Sequence, residues 1–149
     1  MDYAHSIQLQ AEVDAPRAEI FRLVATAEGL SAWLDAVEME PRVGSEIRVR
    51  MADAIAVGKI LSVQPPQHIS FTWDWEGDPL GTATVVAFDA IDHGERTHLT
   101  MRQVGFRTRD QKETHEGLWT YWFGRLEELV RQEAGGRREA GGRRPDRAR

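Results

Sequence analysis

The sequence predicts an α+β domain in which a curved antiparallel sheet wraps around one long C-terminal helix, with two short helices after the first strand. Apolar residues alternate at Ile7, Leu9, Ala11 and Val13 and again in several segments between Val37 and Val104. That period of two marks strands with one buried face. Beyond Asp110 the period becomes helical: Leu118, Trp119, Trp122, Phe123, Leu126, Leu129 and Val130 form one broad stripe that reaches about Ala134.

The first strand is expected over His5–Val13. Asp14-Ala15-Pro16 then supplies a capping side chain and a proline suited to a helix's first turn, and Ile20, Phe21, Val24 and Ala27 follow at helical spacing. This predicts a helix from about Pro16 to Ala27. Gly29 interrupts it, and Leu30, Trp33 and Leu34 suggest a second short helix. The later strands are read from Ile47, Val49 and Met51; Ile69, Phe71, Trp73 and Trp75; Thr84, Val86 and Phe88; and Leu99, Met101 and Gln103. Val43-Gly44, Gln64-Pro65-Pro66-Gln67, Gly77-Asp78-Pro79 and Asp92-His93-Gly94 carry turn chemistry between or beside them. Connections this short favour an antiparallel meander, which the terminal helix would plug.

A chain of 149 residues, 41% hydrophobic and 29% charged, supports one real core. One domain over 1–134 followed by a tail is the economical reading. No run approaches the roughly 18 apolar residues of a membrane span, and the N-terminus lacks a basic region followed by an apolar one, so a cytoplasmic protein is expected. The absence of cysteine excludes disulfides, thiolate metal sites and a cysteine nucleophile. The net charge of −5 hides an asymmetry. Residues 137–149 carry six arginines against Glu139 and Asp146, so the body is more acidic than the whole and the end is basic. An acidic body repels phosphate backbones, which disfavours nucleic-acid binding by the folded domain. GluAlaGlyGlyArgArg occurs at 133–138 and again at 139–144, and residues 135–149 read as a disordered, basic Gly/Arg-rich tail.

Four local patterns carry a family resemblance. They are Val13-Asp14-Ala15-Pro16 before Ile20-Phe21; Glu28-Gly29-Leu30 before Trp33; Gly58-Lys59-Ile60-Leu61 through Pro65-Pro66 to Ile69-Ser70-Phe71-Thr72-Trp73; and Thr97-His98-Leu99-Thr100-Met101 before Gly105-Phe106. With the order of elements, they make the chain resemble the helix-grip, START-like superfamily called SRPBCC. Within it the chain is similar to the branch related to the C-terminal domain of the activator of the heat-shock ATPase chaperone, the Aha-type domain. The last helix reads Gly117-Leu118 where that branch has Gly-Trp. The resemblance implies a helix-grip fold that encloses an apolar ligand cavity, and it carries no catalytic signature.

Five tryptophans offer aromatic walls, although residues at strand or helical spacing ordinarily pack a core. The expected cavity lining is Trp33, Phe71, Trp73, Thr84, Val86, Phe88, Met101, Gln103, Leu118, Trp119 and Trp122. Thr84 and Gln103 are polar groups on inward positions, each requiring a partner from the protein, a water or a ligand. The histidines form no HxH or HExxH arrangement, so no metal is expected, and no cofactor is implied. His115 lies among Asp110, Glu113 and Glu116 at a helix start, where acidic residues are already explained by the helix dipole. Ser31 and Ser62 lack a nucleophile-elbow context. Arg48, Arg50, Asp74 and Arg102 alternate with apolar neighbours and are expected to face outward.

The leading functional reading is a binding protein for a hydrophobic or aromatic small molecule, without an assigned catalytic residue. A polyketide cyclase-like enzyme using the same cavity is the second, and it would require an ionisable group inside. A co-chaperone-like module, acting through an exposed surface, is the third. The additional N-terminal domain of the eukaryotic co-chaperones is not seen here, which weighs against that reading. A homodimer is a further possible assembly.

Overall fold

A computed structural model describes residues 5–147, with side chains described up to residue 136. Seven strands form one antiparallel sheet: β1 (Ile7–Val13), β2 (Ala36–Glu38), β3 (Glu46–Arg50), β4 (Ile55–Gln64), β5 (His68–Trp75), β6 (Thr84–His93) and β7 (Arg96–Val104). Their spatial order is β1-β7-β6-β5-β4-β3-β2, so every neighbouring pair except β1–β7 is consecutive in the chain. The sheet curls into a half-barrel around α3 (Arg109–Arg147), while α1 (Arg17–Ala25) and α2 (Ala27–Ser31) follow β1. This is the helix-grip arrangement.

The alternation seen in the sequence becomes the concave face. Ile69, Phe71 and Trp73 of β5 are buried, as are Thr84, Val86, Phe88 and Ala90 of β6 and Thr97, Leu99, Met101 and Gln103 of β7. From α3, His115, Trp119, Trp122, Phe123, Leu126, Val130 and Ala134 are buried, repeating at three- and four-residue intervals against that face.

Several boundaries differ from expectation for local reasons. Pro16 is the N-cap of α1, with no side-chain cap, so the helix begins at Arg17. Thr26 separates the two short helices: its hydroxyl donates to the Arg22 carbonyl at 2.7 Å and accepts from the Gly29 N–H at 2.9 Å. Trp33 and Leu34 therefore follow α2 rather than belonging to it, and the Trp33 indole donates to the Leu23 carbonyl at 2.9 Å. β2 and β4 are strands that the apolar pattern alone does not mark. The backbone of α3 continues past Ala134 to Arg147. The side chains expected in the basic tail lie outside the described residues.

Two glycines of the sequence patterns mark close backbone approaches. A Cβ at Gly29 would lie 2.0 Å from the Arg22 carbonyl oxygen, and one at Gly58 would lie 1.7 Å from that of Thr72. Neither neighbour is a flexible side chain, so the backbone itself would have to move. Gly117, on the exposed side of α3, has nothing within 4 Å. Gly58→Ala is therefore expected to destabilise the fold by about 3 kcal/mol, lowering the melting temperature by roughly 5–10 °C. Gly117→Ala should raise it by a few degrees, since it gains about 1 kcal/mol of helix propensity. Circular dichroism melts of the two variants check both signs.

Candidate functional site

One strand, β5, the segment after α2 and the helix α3 bring the tryptophans together. Trp119 of α3 lies at the centre, with ring centroids 5.0 Å from Trp122, 5.5 Å from Trp73, 5.9 Å from Phe88 and 6.4 Å from Trp33. Trp73 extends the cluster to Trp75, edge to face at 5.5 Å. Tilted and edge-to-face pairs of this kind each contribute about 0.5–1.5 kcal/mol beyond area burial. Of the eleven sequence-predicted lining residues, Trp33, Phe71, Trp73, Thr84, Val86, Phe88, Met101, Gln103, Trp119 and Trp122 are buried on this one interior surface, and Leu118 is partly buried at its margin.

A polar chain threads the cluster. The Trp119 indole donates to Gln103 Oε1 at 2.7 Å, Gln103 Nε2 donates to Thr84 Oγ1 at 2.9 Å, and the Thr84 hydroxyl donates to the Trp73 carbonyl at 2.7 Å. The two inward polar residues thus have protein partners, as buried polar groups generally do. Among the described residues, two buried side-chain atoms have none: Ser45 Oγ and Trp73 Nε1. Trp73 is 2% exposed, and its indole N–H is an unmatched donor inside the aromatic cluster.

A cleft of about 280 Å³ opens beside these rings, lined by Trp75, Asp78, Pro79, Leu80, Asp110, Gln111, Thr114 and His115. Its walls are tied to each other. Asp74 Oδ1 accepts from the backbone N–H groups of Trp75 and Leu80, both at 2.8 Å. Gln111 Nε2 donates to the Leu80 carbonyl at 2.9 Å, clamping the loop after β5 to the first turns of α3. Asp74 is thereby a loop anchor. Arg48 and Arg50 pair with Glu76 and Glu38, each at 3.0 Å, and Arg102 is exposed, so these three charged strand residues do not enter the cluster.

The ionisable group that the sequence did not place inside is His115. It is 2% exposed and packs against Phe106 at 4.7 Å and Trp75 at 5.6 Å between centroids. Its Nδ1 lies 2.7 Å from the Gln111 carbonyl, an acceptor, so Nδ1 carries the proton. Nε2 then accepts from the Trp75 indole at 2.9 Å. Both ring nitrogens are engaged in the neutral form. Burial lowers the His115 pKa, partly opposed by the backbone hydrogen bond to Gln111. The helix-start carboxylates around it suggest a solvated face; the aromatic rings that bury it come from β5 and the segment before α3.

Comparison with known proteins places this geometry. The family described as Activator of Hsp90 ATPase homolog 1-like protein matches residues 14–131. No curated protein matches the chain in sequence. Among solved structures, protein MLL2253 from Mesorhizobium loti is similar at 24% identity and TM-score 0.78, covering 85% of this chain and 97% of that one. The Aha1 dimer from Colwellia psychrerythraea is similar at 18% identity and TM-score 0.71, covering 84% and 95%. CalU16 from Micromonospora echinospora is similar at 21% identity and TM-score 0.72, covering 85% and 65%. At these identities the likeness is one of fold.

The buried, neutral His115 leaves a mark on stability. Its folded pKa lies below the ordinary value, so on acidification the unfolded chain takes up this proton before the folded one does. Above about pH 6.5 the contribution of His115 does not vary with pH; below it, stability falls until the folded pKa is passed. His115→Gln should lower stability at pH 7.5 and flatten the decline between pH 6.5 and 5, read as melting temperature against pH for both proteins.

Proposed function

The chain belongs to the Activator of Hsp90 ATPase homolog 1-like family, and from that premise we propose that it binds an apolar or aromatic small molecule bearing a hydrogen-bond acceptor, held between the sheet and α3. The observation that carries this reading is the Trp73 indole N–H, buried without an acceptor while the indoles of Trp33, Trp75 and Trp119 each have one. An unmet buried donor costs about 1–3 kcal/mol, which a ligand oxygen at that position recovers. Trp75 touches Trp73 and also lines the cleft, so the cleft is the short route to that donor. The rings are in contact, and a ligand enters by displacing Trp75 or Trp122 from Trp73.

Binding is favoured over cyclase-like turnover because His115, the ionisable group buried against the rings, has both nitrogens committed to protein partners. A general base needs one of them free. The solved neighbours include a protein described as an Hsp90 activator from Plasmodium falciparum, which keeps a protein-binding role as the alternative outcome of the test.

Tryptophan fluorescence provides the readout. The protein should show saturable quenching by planar aromatic ketones such as flavone or anthraquinone. Binding of anthracene, which lacks the acceptor, should be about tenfold weaker, the equivalent of one hydrogen bond. In Trp73→Phe that discrimination should shrink to about twofold or less. A folded protein that responds to no aromatic or acyl compound would contradict the reading and favour a protein partner.

A further inference from the structure

The convex face of the sheet carries a second arrangement that the aromatic cluster does not use. Ser62 on β4, His68 on β5 and Asp89 on β6 lie across three adjacent strands. Ser62 Oγ is 2.9 Å from His68 Nε2, and His68 Nδ1 is 2.8 Å from Asp89 Oδ1. His68 and Asp89 are direct cross-strand partners, and Ser62 pairs with Ser70.

Local backbone geometry puts the serine there. The β4–β5 register shifts between Ile60 and Ser62, so β4 holds one extra residue at that point. Ile60 and Val63 both pack toward the core, and the two residues between them, Leu61 and Ser62, lie on the other face. Strict alternation from Ile60 would have turned Ser62 inward. Bulges re-aim side chains in this way.

The protons can be placed. A carboxylate only accepts, so His68 carries its proton on Nδ1 and donates it to Asp89. In the neutral imidazole Nε2 keeps a lone pair and accepts from the Ser62 hydroxyl. The Ser70 hydroxyl, with its oxygen 2.5 Å from Ser62 Oγ, then donates to Ser62 Oγ. Nucleophile, base and base-orienting acid stand in the order that acyl transfer requires. His68 and Asp89 line an open groove of about 630 Å³ together with Arg17, Gln64, Gln67, Ala90 and Ile91, and Ser62 reaches it through its contact with His68 Nε2. Arg17, Gln64 and Gln67 carry N–H donors in that groove, and Ile91 supplies apolar surface.

We propose that Ser62, His68 and Asp89 form a nucleophilic site that hydrolyses small carboxylic esters. Ser62 Oγ attacks the ester carbonyl carbon while its proton passes to His68 Nε2. The alkoxide leaves with that proton, and an acyl group remains on Ser62. Water then gives a proton to His68 and attacks the acyl carbon, releasing the acid and restoring the serine. No co-reactant besides water is needed.

A fluorophosphonate probe followed by intact mass and peptide mapping tests the site, alongside p-nitrophenyl acetate hydrolysis. The result expected is one adduct, on the peptide containing Ser62, with fluoride released, and none in Ser62→Ala. His68→Gln should slow labelling and hydrolysis by about 100-fold or more, the weight of a general base. Asp89→Asn should slow them too, whereas Trp73→Phe should leave both unchanged, which separates this site from the aromatic one. Circular dichroism shows which variants remain folded. No adduct on the wild type, an adduct elsewhere, or labelling at full rate in folded His68→Gln and Asp89→Asn would overturn the proposal and reduce the three residues to a surface hydrogen-bond network.

Discussion

The hydrogen bond from the Trp119 indole to Gln103 sets the position of the long helix against the sheet. Trp119 is fully buried, so its donor must find an acceptor within the protein, and Gln103 on β7 is that acceptor at 2.7 Å. Gln103 is held through Thr84 on β6 to the Trp73 carbonyl on β5, so one chain of donors links α3 to three consecutive strands. Rotating or sliding α3 would unpair a buried amide and a buried indole together, each costing about 1–3 kcal/mol. Apolar packing tolerates several helix settings; this chain selects one.

With that setting given, the rest of the site follows. Trp122 is carried against Trp73, His115 is carried under Trp75, and the Gln111 amide meets the loop after β5. The Trp73 indole is left facing aromatic rings, which offer no lone pair to accept it. The two faces of the sheet thus carry different chemistry: an aromatic interior in which the Trp73 indole is an unpartnered donor, and a convex surface where hydroxyl, imidazole and carboxylate groups meet across strands. Outward ion pairs such as Arg48–Glu76 and Arg50–Glu38 are screened by solvent and contribute little.

The concave face was legible because alternation is a local property: Phe71 and Trp73, or Val86 and Phe88, announce their side of the sheet without reference to any partner. β4 was not, because Gly58 removes a side chain from its pattern and the extra residue near Leu61 breaks the period. Thr84 and Gln103 could be read as inward and polar, but their mutual pairing depends on the β6–β7 register, which places Gln103 opposite Val86. His115 read as part of an acidic helix start, since the rings that bury it come from Trp75, on a strand 40 residues away, and from Phe106 in the irregular segment before the helix. Ser62, His68 and Asp89 have no motif spacing at all, and three strands and a bulge assemble them. The helix beyond Ala134 has no apolar stripe to announce it.

Trp73 holds an open, buried donor at the heart of the site. Proton–nitrogen correlation NMR of the five indole N–H groups tests it directly, with Trp73→Phe assigning the signal. The Trp73 indole proton should resonate upfield, in the range of a non-hydrogen-bonded indole, exchange slowly with deuterated water, and move downfield when an aromatic ketone binds. A Trp73 signal already at a hydrogen-bonded shift in the free protein, or one exchanging as fast as an exposed indole, would contradict it.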